Sequence, residues 1–123
     1  MTSLMVAPVA APGASPCDTP RTQADLNACA GNAAKQADAK LNDVYATLAK
    51  RVSPAGRQAL RAAQRAWITY RDAQCGFDTL GTQGGSIHAM MVASCLRDLT
   101  DAQAALLQKQ INCPEGDTSC GGQ

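Results

Sequence analysis

Apolar side chains recur along most of this chain at steps of three and four residues, the spacing that lines one face of an α-helix. The longest stripe runs through Leu26, Ala30, Ala33, Ala37, Leu41, Val44, Leu48 and Val52, while Lys35, Lys40, Asp43 and Lys50 fall off it and predict a solvated face. Thr22 followed by Asp25 resembles a capping box, in which a hydroxyl accepts from a free backbone amide and a carboxylate sits near the positive helix end. A first helix is therefore expected from that cap to about Val52. Ser53-Pro54 marks the next boundary, because serine caps well and proline fits a first turn where its missing amide costs nothing. The second stripe passes through Leu60, Ala63, Trp67 and Tyr70 toward Cys75, with Arg57, Arg61 and Arg65 on another side that predicts a wet face. From Gly76 to Gly85 the chain carries four of its ten glycines and no period, which predicts a loop. Ser86 is placed to cap a third helix bearing Met90, Met91, Cys95, Leu99, Ala102, Leu106 and Ile111, with Thr100-Asp101 a point where a new turn could begin. Pro114 and the glycines after it stop that helix at about Asn112. No strand alternation, internal repeat or dinucleotide-binding glycine motif interrupts the pattern. The expected fold class is all-α, a compact antiparallel bundle of three main helices.

Composition sharpens this. Hydrophobic residues make up 46% of the 123, but 24 of them are alanine and only 3% of the chain is aromatic, so close helix packing must replace side-chain bulk. One domain of this size has a modest core, and cross-links would contribute a useful share of its stability. Cys17, Cys29, Cys75, Cys95, Cys113 and Cys120 form an even set in a short chain, the usage expected of disulfides made in an oxidising compartment. A zinc site would want paired Cys or His at two- to four-residue spacing, and the chain has no CxxC or HxxxH, so no metal is expected. Six cysteines permit fifteen pairings. Neighbour pairing suits the layout best: Cys17 with Cys29 at the entry to the first helix, Cys75 with Cys95 between the second and third, Cys113 with Cys120 closing the tail. The middle pair meets a difficulty of reach, since at ~1.5 Å per helical residue the two would miss by several ångströms unless the second helix runs on or the third starts late.

Residues 1–16 carry a short apolar patch and many small residues but no basic start, and read as a signal remnant or a disordered tail. The helical domain is expected over 17–113, with 114–123 a Gly-rich tail closed by a disulfide. No apolar run is long enough to span a membrane. Eleven basic and ten acidic residues leave a formal charge of +1 with no run of like charges, which argues against nucleic acid as a partner. His88 is the single histidine, and neither a nucleophile elbow nor an orienting constellation surrounds it, so catalysis is not expected and no cofactor is implied. Trp67 is expected in the core. Asp38, Asn42, Arg71 and Asp72 lie a turn or less from apolar positions and are expected to form a structural network that fixes helix register, with Asp38 and Arg71 as candidate partners. Tyr45 and Tyr70 are each expected to offer a ring to the core and a hydroxyl to its edge.

Three fragments carry a resemblance: Cys29-Ala30 leading to Ala37-Asp38, Leu41-Asn42 and Tyr45; Gln64-Arg65-Ala66-Trp67-Ile68 with Tyr70-Arg71-Asp72 and Cys75; and Gly85-Ser86 with Cys95, Thr100 and Leu106. Together they resemble the LprI-like family of lysozyme inhibitors, over about residues 17 to 113, the middle fragment being the specific one. Ala34 and Gln103 depart from the family pattern, which usually has an aromatic and an arginine there. The resemblance implies an antiparallel helical fold, export to the bacterial envelope as a periplasmic or secreted protein, and a protein partner, with lysozyme first. An inhibitor of that kind needs a rigid scaffold carrying a loop that enters a cleft, and the segment from Gly76 to His88 is the candidate. Phe77, Ser86 and His88 are its expected contacts, Phe77 for a sugar subsite and the other two as donors toward the catalytic carboxylates. The alternatives are an envelope interaction or immunity protein with a different target and, behind it, an enzyme acting at His88. The oligomeric state is left open.

Overall fold

A computed structural model of the chain describes residues 17–114 and 116–121, so the expectation for residues 1–16 lies outside the described residues. Three helices follow one another: α1 (Gln23–Arg51), α2 (Pro54–Asp78) and α3 (His88–Ile111), with a single 3-10 turn, Leu80–Thr82, between the last two. No strand occurs among the described residues, and the all-helical, disulfide-stapled bundle is the fold adopted. At one end of the bundle the Gln23 side-chain amide reaches the Met90 sulfur at 3.7 Å, and at the other Arg51 Nη1 donates to the Ile111 carbonyl at 3.2 Å. Hence α1 and α3 run parallel, and α2 returns antiparallel to both.

The caps behave as their chemistry dictates. Thr22 Oγ1 accepts from the Asp25 amide at 3.0 Å, while the Asp25 carboxylate accepts from the Arg21 amide at 3.1 Å. Ser53 Oγ accepts from the Gly56 amide at 3.0 Å, with Pro54 in the first turn of α2. The reversal from α1 to α2 is so tight that Arg57 Nε donates to the Ala49 carbonyl at 2.9 Å. Arg57 is thereby drawn half inside, which corrects the expectation of a wholly solvated arginine row; Arg61 and Arg65 are exposed.

The core lies mainly between α1 and α3, where Leu41, Leu48, Ala104 and Leu107 are buried together and Val44, Tyr45, Leu60, Trp67 and Ile111 pack against them. The buried face of α3 is Ala93, Thr100, Ala104 and Leu107; of the expected stripe Met90, Cys95, Leu99 and Ile111 are half-buried, whereas Met91, Ala102 and Leu106 are exposed, Leu106 at 56%. The cause is the alanine content. Where two backbones approach most closely only small side chains fit, so Ala93 and Ala104 mark the contact, with Leu107 packed beside them and Leu106 turned outward. On α2 Cys75 is the one fully buried residue. Tyr70 is 54% exposed, which corrects its expected place at the core edge.

The glycine-rich stretch is also shorter as a loop than expected. Gly76, Phe77 and Asp78 continue α2, because glycine permits a helix as well as a turn and local bonds favour the helix here. Gln74 Nε2 donates to Asp78 Oδ1 at 2.8 Å across one turn, and the Thr79 hydroxyl donates to the Cys75 carbonyl at 2.6 Å. Ser86 does not cap α3, which starts at His88 with Ile87 at the cap position and no side-chain cap bond. Helix two thus runs on and helix three starts late, the two adjustments that the Cys75–Cys95 bridge requires, and their Cα atoms lie 5.7 Å apart. Cys17–Cys29 and Cys113–Cys120 complete the neighbour pairing. Helix α3 passes Thr100-Asp101 without a break.

Candidate functional site

Two groups of polar side chains stand out, one inside the bundle and one at its end. Inside, Arg71 on α2 is the hub. Its Nη1 donates to Asp38 Oδ1 of α1 at 3.2 Å and to the Thr100 hydroxyl of α3 at 3.4 Å, and its Nε donates to Asp72 Oδ1 at 3.0 Å. The guanidinium also lies over the Trp67 ring, 5.2 Å from its centroid. Thr100 is 1% exposed, whereas the Asp38 and Asp72 side chains are more than half exposed. The two ion pairs are therefore worth little each, and the arginine acts chiefly by satisfying the buried Thr100 hydroxyl of α3 and covering the indole one turn back on its own helix. Asn42 is exposed on α1 and stands outside this cluster. Trp67 is half-buried against the core rather than enclosed by it. Trp67→Ala should accordingly cost about 2 kcal/mol in urea unfolding, less than the ~3–5 kcal/mol of a fully enclosed ring; a loss above 4 kcal/mol would show that the ring carries the core.

The second group builds the connection from α2 to α3. The Thr82 hydroxyl lies 2.9 Å from the Thr79 carbonyl and 2.9 Å from His88 Nδ1, so it links the start of the turn to the first residue of α3. The Gly85 amide donates to the Thr82 carbonyl at 3.0 Å and the His88 amide to the Gly85 carbonyl at 3.2 Å. Gly84 takes a φ of 82°, which favours glycine, and a Cβ on Gly85 would come within 3.2 Å of the Thr82 carbonyl oxygen. From the side, Asn27 Nδ2 of α1 donates to the Ser86 carbonyl at 3.1 Å. With Cys75–Cys95 closing its base, the segment is fixed by backbone, side-chain and covalent ties together. Its surface shows Leu80, 58% exposed, Ile87, 39% exposed, and an exposed Ser86.

Beside the loop a shallow hollow of about 300 Å³ opens between α2 and α3, lined by Asp72, Thr79, Gln83, His88, Val92 and Leu96 among others. Asp72 and His88 thus meet at one hollow. Ser86 lies on the loop proper, and Phe77 is not a loop residue at all but an exposed side chain in the last turn of α2. Leu80, Thr82 and Asn27 are the site residues that sequence reading passes over. Leu80 was detectable as the one large aliphatic side chain in the glycine-rich stretch; nothing in the sequence pairs Asn27 with a backbone carbonyl of the loop.

At the far end of the bundle Cys113, Asp117 and Cys120 bring their donor atoms within 4.8 Å of one another. Both sulfurs belong to the tail disulfide and so offer no thiolate to a cation. Hydrogen bonds from the Ser119 hydroxyl and amide hold the Asp117 carboxyl below its ordinary range.

No solved structure matches the chain. An uncharacterized protein of Rhizobium meliloti (strain 1021) is 34% identical over 112 residues, covering 80% of this chain and 81% of that protein. The sequence profile described as lysozyme inhibitor LprI matches residues 16–107, the span that holds all three helices up to the last turn of α3, and the chain belongs to the LprI lysozyme inhibitor family.

Proposed function

We propose that this protein binds and blocks a wall-degrading hydrolase of the lysozyme type, acting from the periplasm or as a secreted protein, with the connection between α2 and α3 as the segment that enters the cleft. The observation that carries the reading is the immobilised loop. An exposed segment already tied by Thr82, Asn27 and the Cys75–Cys95 bridge loses little conformational freedom on binding, which is what a cleft inhibitor needs. Leu80 supplies an apolar contact for a sugar subsite, and the Ser86 hydroxyl supplies a donor for a carboxylate in the cleft. His88 stands behind the loop with its Nδ1 engaged by Thr82, so its first task is to brace the segment. The three disulfides suit an oxidising compartment, and no helix among the described residues is long and apolar enough to cross a membrane.

Residues 79–87 contain no charged side chain, so attraction across the interface does not depend on ion pairs. In a turbidity assay of cell-wall lysis, the oxidised protein should slow at least one lysozyme at micromolar excess. Its inhibition constant should change less than about threefold between low and physiological salt. Replacing 80–86 by a Gly/Ser linker should abolish inhibition with the helical signal intact. Unchanged inhibition in that variant would move the site off the loop, and no slowing of any lysozyme would overturn the reading.

A further inference from the structure

Helix α2 has a second apolar face that the bundle leaves uncovered. Ala55, Ala59, Ala62, Ala66, Ala73 and Phe77 recur at helical spacing along it, Tyr70 stands beside them, and all are exposed, Phe77 at 74% and Tyr70 at 54%. The face turned to the bundle is a different one, with Leu60, Trp67, Arg71 and Cys75. Beside the N-terminal half of the uncovered face lies a mainly apolar groove of about 240 Å³, lined by Ala59 from it, Gly56, Leu60 and Ala63 of α2, and Leu48 and Val52 of α1, together with Gln110 and Gly121. One helix thus carries a protruding aromatic ring at one end and a groove with a small-residue rim at the other.

We infer that this face joins a second copy of the chain, α2 against α2 in antiparallel order about a two-fold axis near residues 67 and 68. A two-fold interface places the same patch on both subunits, so a knob and a hole at opposite ends of one helix satisfy each other twice. In that register Phe77 of each copy falls over the Gly56–Ala59 rim of the other and enters its groove. Ala62 then faces Ala73 of the second copy and Ala66 faces Thr69, side chains small enough for the two backbones to approach closely. The flanks also match. Antiparallel packing brings like flanks together, and the flank away from the groove carries exposed Arg61 and Arg65 toward one end and Asp72, with its side chain 59% exposed, toward the other. Each copy therefore presents arginines to the aspartate of its mate. A helix of 25 residues is about 37 Å long, a strip at the lower end of what a specific interface uses, so a dimer with a dissociation constant on the order of 10 µM is expected. This inference is independent of the proposed inhibition. It assigns Phe77 to the dimer and leaves Leu80 and Ser86 for a target, with the two loops pointing to opposite ends of the assembly.

Sedimentation equilibrium of the oxidised protein, with no enzyme present, tests it. The expected result is a monomer–dimer equilibrium that shifts by about thirtyfold or more toward monomer in Phe77→Asp and in Ala66→Arg. Both positions are exposed, so far-UV circular dichroism and the melting temperature at low concentration should stay as in the parent. Raising salt from 50 to 500 mM should weaken the dimer about two- to threefold through the flanking charges. A protein that remains monomeric at 200 µM, or a dimer that both substitutions leave intact, would overturn the proposal; the first would leave the face to a partner of another kind and the second would put the contact elsewhere.

Discussion

Replacing Cys75 and Cys95 together by alanine should lower the unfolding free energy by about 3 kcal/mol and remove inhibition with it. The two residues are separated by 20 positions, and the chain-entropy account of a cross-link over a loop of that length gives roughly 3 kcal/mol at 25 °C. That stabilisation reaches the whole fold because the bridge joins α2, which is otherwise thinly packed, to α3, which shares the core with α1. Cys75 is itself 2% exposed, so alanine is the informative replacement; serine would add a buried hydroxyl to the lost bond. For a domain near 100 residues the urea midpoint should fall by about 2 M. The function should be more sensitive still. The α2–α3 connection hangs on Thr79, whose hydroxyl bonds the Cys75 carbonyl, and freeing that carbonyl's helix end frees the loop. The matching tail variant, Cys113→Ala with Cys120→Ala, opens a bridge that spans only 7 positions, in a tail that reaches back to the bundle with the Gly121 amide donating to Gln110 Oε1 at 2.9 Å. Its effect on global unfolding should stay below about 1 kcal/mol, since the tail can loosen without opening the core. Equal losses in the two double variants would show that the middle bridge has no special hold on the loop end.

Why some of this was legible in sequence and some was not comes down to what side-chain bulk reports. On α1 the apolar stripe and the buried face coincide at Ala37, Leu41 and Leu48, because leucines there point at α3 and nothing competes with them. On α3 bulk is a poorer guide. Its buried face joins Leu107 to Ala93, Thr100 and Ala104, residues too small or too polar to register as a stripe, while the adjacent Leu106 lies outside. On α2 two apolar faces share one helix, and reading them as a single stripe merges Trp67, which packs on the core, with Ala63 and Tyr70, which do not. The end of α2 was hidden for another reason. Glycine removes the propensity signal without forbidding the helix, so the fate of Gly76 is decided by a disulfide and two side-chain bonds that only the fold supplies. The loop was visible as a glycine-rich gap, and His88 and Ser86 were visible as its polar residues. Its stiffness was not, because Asn27 lies 59 positions away from the carbonyl it holds.

Leu41→Ala should cost about 3 kcal/mol, and the corresponding change at Leu106 less than about 0.5 kcal/mol. Leu41 is 2% exposed at the centre of the cluster formed with Leu48, Ala104 and Leu107. In most cores of this size a truncated leucine has larger neighbours that can relax into the space. Here one of the facing residues is an alanine on a helix already at close approach, so the void cannot be filled by a side chain and the helices would have to move as bodies. The cost should therefore fall toward the middle of the ~2–5 kcal/mol range for buried leucine truncation and not at its low end. Leu106 is 56% exposed, and its loss creates no void. At 4–8 °C per kcal/mol for a domain near 100 residues, Leu41→Ala should melt roughly 12–24 °C below the parent, while Leu106→Ala should stay within about 4 °C. Thermal unfolding of the two oxidised variants decides the matter. A large drop for Leu106 and a small one for Leu41 would place the α1–α3 contact on the opposite side of α3, and with it the arginine bridge from Asp38 through Arg71 to Thr100 that aligns all three helices beneath the loop.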